Sequence, residues 1–167
     1  MKIGHLTATR IIAAKIYSML PLNLKNEVNL VDLQQAAMLH DIGKILIPKN
    51  ILYKHGALTD AEKEIMDLHA EFSYELLKKK GVKQSVLNLI KYHHQRPDGS
   101  GYPAIDNDFE FTISSQILCI ADKYSALTEQ RAYHQACTKA EALEIILKDV
   151  ESGIVCKEVF DALRKAA

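Results

Sequence analysis

Apolar residues recur at intervals of three and four along most of the chain, a spacing that places them on one face of an α-helix. The pattern predicts a first helix over residues 5–20, which Pro21 ends, and a connecting segment over 21–28. Further helices are predicted over residues 29–41, 48–52, 59–80, 83–94, 113–124, 138–149 and 156–167. The chain has no convincing strand pattern and no internal repeat. The predicted fold class is therefore all-α, a bundle of about six to eight helices.

Two capping boxes strengthen the prediction of helix starts. Thr59 is followed by Glu62, and Thr138 by Glu141, so that each pair can satisfy backbone N–H groups at a helix N-terminus. The inward face of the helix that follows Thr59 is predicted to comprise Ile65, His69, Phe72 and Leu76. A histidine on such a face is usually a hydrogen-bonded core residue, so His69 alone does not indicate a functional site.

Length and composition indicate one globular domain over residues 1–167. The 21 basic and 21 acidic residues cancel, which argues against binding to a nucleic acid polymer through a basic field. No apolar run is long enough to cross a membrane, and the N-terminus lacks the apolar region of a signal peptide. The three cysteines are widely spaced and odd in number, as expected of free thiols in a reducing cytoplasm.

Candidate chemistry begins at the end of the helix over residues 29–41. His40 and Asp41 are adjacent there, Gly43 is a natural helix terminator, and Lys44 follows. A carboxylate has two oxygens, so Asp41 could bridge two metal ions while His40 binds one of them. Taken alone, this segment could equally be a capped helix end with a solvated lysine.

Five histidines and two aspartates lie on five predicted helices that must pack together. That mixture of imidazole and carboxylate without cysteine suits iron, manganese or zinc in a hydrolytic site. Seven ligands exceed the need of one tetrahedral ion and suit two ions that share Asp41, with a bridging hydroxide that attacks phosphorus. The candidate ligands are His5, His40, Asp41, His69, His93, His94 and Asp122.

The double histidine is followed by a loop over residues 95–103 that contains two glycines and two prolines. This composition excludes a helix interior and predicts an ordered loop with polar groups available to a ligand. The segment His40-Asp41-Ile42-Gly43-Lys44 and the run from His93 through Tyr102-Pro103 together resemble the HD-GYP family of the HD phosphohydrolase superfamily. The resemblance extends from His5 to the last helix, nearly the whole chain.

The resemblance implies an all-α HD fold with an ordered loop, and hydrolysis of the bacterial second messenger cyclic di-GMP to pGpG or GMP. By position, one metal would be held by His5, His40, Asp41 and Asp122, and the other by Asp41, His69, His93 and His94. The implied centre is binuclear with Fe or Mn, although Zn, Ni, Mg or Ca could occupy it in a crystal. Catalysis is assigned to Asp41 and Lys44, and substrate binding to Lys44, Arg96, Gly99, Gly101, Tyr102, Arg131 and His134. The two glycines are expected to let the backbone approach a guanine base closely.

Three positions depart from the family pattern. Met1 stands where some members carry a glutamate for a third metal, which favours a two-metal centre. Ser125 replaces a common aspartate, and His134 a common Lys or Arg, so substrate preference could differ. Alternatives are hydrolysis of another nucleotide such as cyclic GMP-AMP, or a module that binds a cyclic dinucleotide or a partner without turnover. Expected protein partners are a GGDEF-type diguanylate cyclase or a response-regulator domain, and the chain could be the excised output domain of a larger protein.

Overall fold

A computed structural model of the chain describes residues 3–105, 109–129 and 136–167. In these residues there is no strand, and the predicted all-α class is confirmed. Eight helices have at least eight residues, in agreement with the predicted number, and α2 and α4 are single turns. The helices are α1 Ile3–Met19, α2 Leu22–Lys25, α3 Leu30–Leu39, α4 Lys49–Leu52, α5 Asp60–Asp67, α6 His69–Lys78, α7 Gln84–Lys91, α8 Ile113–Thr128, α9 Lys139–Glu151 and α10 Lys157–Ala166. A 3-10 helix, Ile42–Leu46, follows α3.

The centre of the bundle is α1, which packs against α3, α8 and α10. Its inward face includes Ala13 and Ile16, both fully buried, whereas Ile11 and Met19 on the other face are 45% exposed. Fully buried Ile117 and Leu118 of α8 belong to the same apolar core. Burial of this face stabilises the bundle, since each fully buried Leu or Ile contributes about 1.5–3 kcal/mol. Among the described residues, no helix combines the length and apolar character needed to span a membrane.

Both predicted capping boxes are present. Thr59 accepts from the backbone N–H of Glu62, and Thr138 from that of Glu141, while each glutamate accepts from the backbone N–H of its cap. The first turn of α3 is capped by Asn29, whose side chain accepts from two backbone N–H groups at 3.1 Å. The short α2 lies in the segment that was predicted to be only a connection.

The predicted single helix over 59–80 is two helices, α5 and α6, separated at Leu68. The Nδ1–H of His69 donates to the carbonyl of Met66 at 2.8 Å. A side chain that bonds to a backbone carbonyl in this way interrupts the regular series of backbone hydrogen bonds in a helix. The break changes the face that points inward. Ile65 is 36% exposed, contrary to the prediction, whereas His69 and Ser73 are buried.

Gly43 was predicted to terminate α3, and this prediction is wrong. The helix ends at Leu39, and the glycine lies in the following 3-10 helix. Its role is close packing against α6. A Cβ at this position would lie 2.2 Å from the carbonyl oxygen of His69 and 2.5 Å from the backbone nitrogen of Ser73. Ser73 Oγ also accepts from the Gly43 N–H and donates to the carbonyl of His40, at 2.8 and 2.6 Å.

Substitution of Gly43 by alanine is therefore expected to force the 3-10 helix away from α6 and to displace its neighbours in the chain, including Asp41. Overpacking of this kind typically destabilises by about 1–3 kcal/mol. Chemical denaturation of G43A should show a loss in that range, with metal affinity reduced as well. Gly4→Ala is the matched control, since nothing lies within 4 Å of a Cβ there. Equal stability of G43A and wild type would contradict the packing role.

Candidate metal centre

Three buried histidines lie within two residues of the ends of α3, α5 and α7, and the second of them is also the first residue of α6. His40, His69 and His93 each place Nδ1 against the backbone carbonyl three residues earlier, at 2.9, 2.8 and 2.6 Å. A carbonyl can only accept, so each Nδ1 must carry the proton. Each Nε2 is then the atom with a free lone pair, and the three rings present it to a common interior. These contacts also satisfy carbonyls that a helix end leaves without an intrahelical partner.

Two of these helix ends give the site an electrostatic preference. The C-terminus of a helix carries a partial negative charge from its aligned peptide dipoles, and it favours nearby cations. The C-termini of α3 and α7 lie next to His40 and His93, whereas at His69 the C-terminus of α5 is followed at once by the N-terminus of α6, whose partial charge has the opposite sign. The ends of α3 and α7 therefore add to the negative charge of the carboxylates.

The remaining ligand candidates come from α1, α8 and the loop after α7. His5, in the first turns of α1, places Nε2 2.9 Å from Asp122 Oδ1 on α8. The same carboxylate oxygen is 3.3 Å from His40 Nε2. The ring of His94 packs on that of His93, with 4.0 Å between centroids. Packing of α1 against α8 thus closes one side of the cluster, and the turn after α7 closes the other.

Asp41 lies between two groups of ligand atoms. Its Oδ2 is 3.7 Å from Nε2 of His40, and its Oδ1 is 3.3 Å from Nε2 of His69. The two oxygens therefore face opposite halves of the cluster, as expected of a bridging carboxylate. Only 4% of the residue is exposed.

All seven predicted ligands come together. Ligand atoms within 4.8 Å of one another form three overlapping groups, which share His40 and His93. The two outer groups match the two predicted ligand sets, and the middle group contains the predicted bridge. The groups are His5, His40 and Asp122; His40, Asp41 and His93; and His69, His93 and His94.

The protonation states suit cation binding, which needs ionised carboxylates and neutral imidazoles. Burial lowers the pKa of His94 to about 4 and holds that of His93 well below its usual value. Burial acts to raise the pKa of Asp41 and Asp122, but the neighbouring histidines outweigh it, and both carboxyl pKa values lie below normal. At neutral pH the cluster therefore offers two carboxylates and neutral imidazoles at His93 and His94. At His40 burial acts to lower the pKa, but the hydrogen bond with Asp122 and the nearby carboxylate charges outweigh it and raise that pKa.

Buried ligand atoms without a hydrogen-bond partner also indicate that these residues fit a metal. Within the described part of the chain, Nε2 of His40 and Oδ1 of Asp41 are buried without a hydrogen-bond partner. Buried polar atoms without partners are costly, and each needs an explanation. A donor set of imidazole nitrogen and carboxylate oxygen around these atoms is appropriate for divalent iron, manganese or zinc.

Lys44 lies at the edge of the cluster. Its Nζ is 2.5 Å from Asp41 Oδ2, and 27% of its side chain is exposed, so the ammonium group is reachable from solvent. Tyr102 covers another edge, where its ring packs at 4.8 Å against that of His94 and burial raises the pKa of its hydroxyl. The carboxylate of Asp67, the last residue of α5, adds to this rise in pKa.

The predicted loop over 95–103 is held by Gln95, which is fully buried. Its Nε2 donates to the carbonyl of Pro103 at 2.7 Å, and its Oε1 accepts from the backbone N–H of Arg96 and of Gly101, both at 2.8 Å. A Cβ at Gly101 would lie 2.2 Å from the carbonyl oxygen of His94. Gly99 adopts a φ of +76°. The backbone therefore favours glycine at both positions, and this preference does not depend on the predicted close approach of a base.

The predicted substrate-binding residues are less closely grouped than the ligands. Lys44 and Tyr102 border the cluster, whereas Arg96 is exposed on the loop. Arg131 and His134 lie outside the described residues, as does Met1. Ser125 is buried on α8, with an Oγ that has no hydrogen-bond partner in the described chain.

Two cavities among the described residues have similar volumes. One, of about 310 Å³, adjoins His93, His94 and Asp122 and is bordered by Arg96 and Lys123. The other, of about 330 Å³, lies between α3, α7 and residues 109–115 and includes none of the seven ligands. Volume does not distinguish them, so the chemistry of the lining favours the first as the place where a substrate would reach the centre.

Sequence reasoning did not find Ser73, Gln95 or Asp67, nor Glu129, whose Oε2 lies 3.8 Å from Nδ1 of His5. The signal for two of them was present, because Ser73 is four residues after His69 and Glu129 seven after Asp122, spacings that return to the same helix face. No comparable signal exists for Asp67 or Gln95, whose roles depend on contacts with the loop.

Comparisons with known proteins identify the family to which the chain belongs. The HD domain family model matches residues 3–154. A cyclic di-GMP phosphodiesterase of Thermotoga maritima is 37% identical over 142 residues, covering 84% of this chain and 38% of that protein. The 3'3'-cGAMP-specific phosphodiesterase 3 of Vibrio cholerae is 35% identical over 134 residues, covering 80% of this chain and 29% of that protein.

Among solved structures, Bd1817, an HDG"Y"P protein from Bdellovibrio bacteriovorus, superposes with a TM-score of 0.73 at 18% identity. The match covers 98% of this chain and 52% of that one, and at this identity it shows the fold alone. The chain spans about 29–38% of the length of the two curated relatives. The family predicted from the sequence is confirmed, and the chain belongs to the HD domain family.

Proposed function

We propose that this chain binds two divalent metal ions and hydrolyses a phosphodiester bond of cyclic di-GMP. The observation that carries the proposal is the position of Asp41, whose two buried oxygens face two separate sets of imidazole and carboxylate ligands. His5, His40 and Asp122 would hold one ion with Asp41, and His69, His93 and His94 the other. When bound, such a pair polarises phosphate oxygens and lowers the pKa of water, which is what phosphodiester hydrolysis requires.

The chain's own residues supply orientation and charge. The hydrogen bonds from Nδ1 of His40, His69 and His93 fix the three rings, so little reorganisation is needed when ligands bind. Lys44 reaches the rim of the cluster with a partly exposed ammonium group, where it can stabilise negative charge that develops on phosphate. Tyr102 packs against His94 and limits access of water from the side of the loop.

Two substrates compete within this proposal. Cyclic di-GMP is favoured by the resemblance of the loop and by relatives named as cyclic di-GMP phosphodiesterases, such as the Thermotoga maritima protein. The mixed cyclic dinucleotide is the second candidate, because the Vibrio cholerae relative of similar identity is named for 3'3'-cGAMP. The preference depends on residues that contact the bases, and His134 and Ser125 are the two departures from the family pattern that are expected to affect it.

The test is turnover of both substrates by protein loaded with Fe²⁺ or Mn²⁺ under reducing conditions, followed by chromatography of the products. We expect cyclic di-GMP to be cleaved to pGpG or GMP, with faster turnover than cyclic GMP-AMP at equal concentration. Faster cleavage of the mixed dinucleotide would indicate that cyclic GMP-AMP, and not cyclic di-GMP, is the preferred substrate. A fully metal-loaded protein that binds either dinucleotide and leaves it intact would establish a binding module instead.

Cytoplasmic location and protein partners are part of the same proposal. Cys119, Cys137 and Cys156 are free thiols, as expected in a reducing compartment. A diguanylate cyclase or response-regulator domain remains the expected kind of partner, because an output domain for a second messenger needs a regulatory input.

A further inference from the structure

The protonated nitrogen of a ligand histidine needs an acceptor, and the candidate histidines do not all find one in the same way. His40, His69 and His93 use backbone carbonyls at helix ends. His5 lies in the first turns of α1, and its Nε2 faces Asp122. Its Nδ1 is buried and has no hydrogen-bond partner in the described part of the chain. A side chain from another element must therefore complete the environment of this ring.

Glu129 is in position to do so. It is the residue that follows the last turn of α8, and its Oε2 is 3.8 Å from Nδ1 of His5. Glu129 lies seven residues after Asp122, two helical turns along the same face, so the two carboxylates meet opposite edges of one imidazole ring. The Glu129 side chain is 24% exposed, and a shift of about 1 Å would bring its Oε2 from 3.8 Å to hydrogen-bond distance.

We propose that Glu129 is a positioning residue for the metal centre: its carboxylate accepts a hydrogen bond from Nδ1–H of His5 and thereby directs the Nε2 lone pair toward the ion. The inference rests on the proposed metal centre and adds a residue to it. A carboxylate in this role also makes the imidazole a stronger donor to a cation, and loss of such a partner typically costs 10–100-fold in metal affinity. The effect should be confined to the ion held by His5, His40 and Asp122.

Two other groups could compete for the same proton. Thr9 Oγ1 and Ser125 Oγ are buried and have no hydrogen-bond partner among the residues that the structure describes. They lie one turn from His5 and from Asp122 on the helices that carry those residues. A hydroxyl would hold the ring but would not add charge. Comparison of S125A and T9V with E129A therefore separates a carboxylate acceptor from a hydroxyl acceptor.

The test is a titration of the full chain with Zn²⁺ in the presence of a competing chelator. Wild type should bind two ions, and E129A should bind one of them about 10–100-fold more weakly while the other is unchanged. E129Q, whose amide oxygen can still accept, should recover most of the loss. E144A, which removes an exposed glutamate from α9, controls for net charge. Unchanged affinities in E129A, or a loss in S125A or T9V in place of E129A, would overturn the proposal.

A second readout does not depend on affinity. In Zn²⁺-loaded protein with ¹⁵N-labelled histidine, NMR should show His5 protonated at Nδ1, and the signal is assigned by its disappearance in H5A. E129A should broaden or shift that resonance, and protonation of His5 at Nε2 in loaded wild type would refute the assignment. If wild type bound no zinc at all, the metal centre itself would fail, which is a different outcome from normal zinc binding that E129A does not alter.

Discussion

Replacement of Asp41 by asparagine is expected to abolish phosphodiesterase activity and to weaken the binding of both metal ions. The carboxylate lies between the two ligand groups, and its charge is the one that both ions would share. Even partners outside the ligand set contribute 10–100-fold to metal affinity, so loss of the shared ligand should cost at least about 100-fold. The checks are metal content after gel filtration and turnover of cyclic di-GMP.

Asp32→Asn is the matched control for this variant. Asp32 is also a largely buried aspartate, and its partners, Lys83 at 2.7 Å and Ser85 at 2.6 Å, lie apart from the seven ligands. D32N should lose some stability and keep its metals. Normal metal content and activity in D41N would show that Asp41 is not shared by two ions.

Replacement of Lys44 by methionine is expected to lower kcat by about 10²–10³-fold, the range found when a single group that stabilises transition-state charge is removed. Both ions should remain bound, because Lys44 provides no ligand atom. Methionine retains much of the apolar stem of the side chain, so the packing around the 3-10 helix should change little. The measurement is steady-state kinetics with parallel metal analysis.

Lys54→Met serves as the control for Lys44, since Lys54 is a half-buried lysine that forms an ion pair with Glu62 on α5. It should leave kcat unchanged. A K44M enzyme with wild-type kcat and a raised KM would assign Lys44 to binding alone, and one with no change in either parameter would remove it from the mechanism.

The parts of the fold that the sequence predicts are those governed by local rules. The periodicity around Ile16 and Ile117 depends on helix geometry alone, and the boxes at Thr59 and Thr138 form within four residues of chain. The convergence of the ligands was predictable because so many metal-binding side chains on inward-facing helices leave few alternatives to a common site.

The features that escaped prediction depend on contacts between distant segments. Gly43 was interpreted as a terminator because a glycine after a helix usually is one, and only the approach of α6 reveals its packing role. The break at Leu68 arises because the His69 side chain donates a hydrogen bond to a carbonyl of α5. The periodic pattern of apolar residues does not reveal such a bond. Gln95 acts on a loop whose closure brings Pro103 beside it.

The central claim is that seven side chains from this one chain hold two ions that share Asp41. Its most direct test is the number of metal ions retained per chain after the protein is saturated with Mn²⁺ and freed of unbound metal. Two ions per wild-type chain, and at most one in D41N, are the predicted result. One ion or none in wild type, or two retained in D41N, would contradict the account.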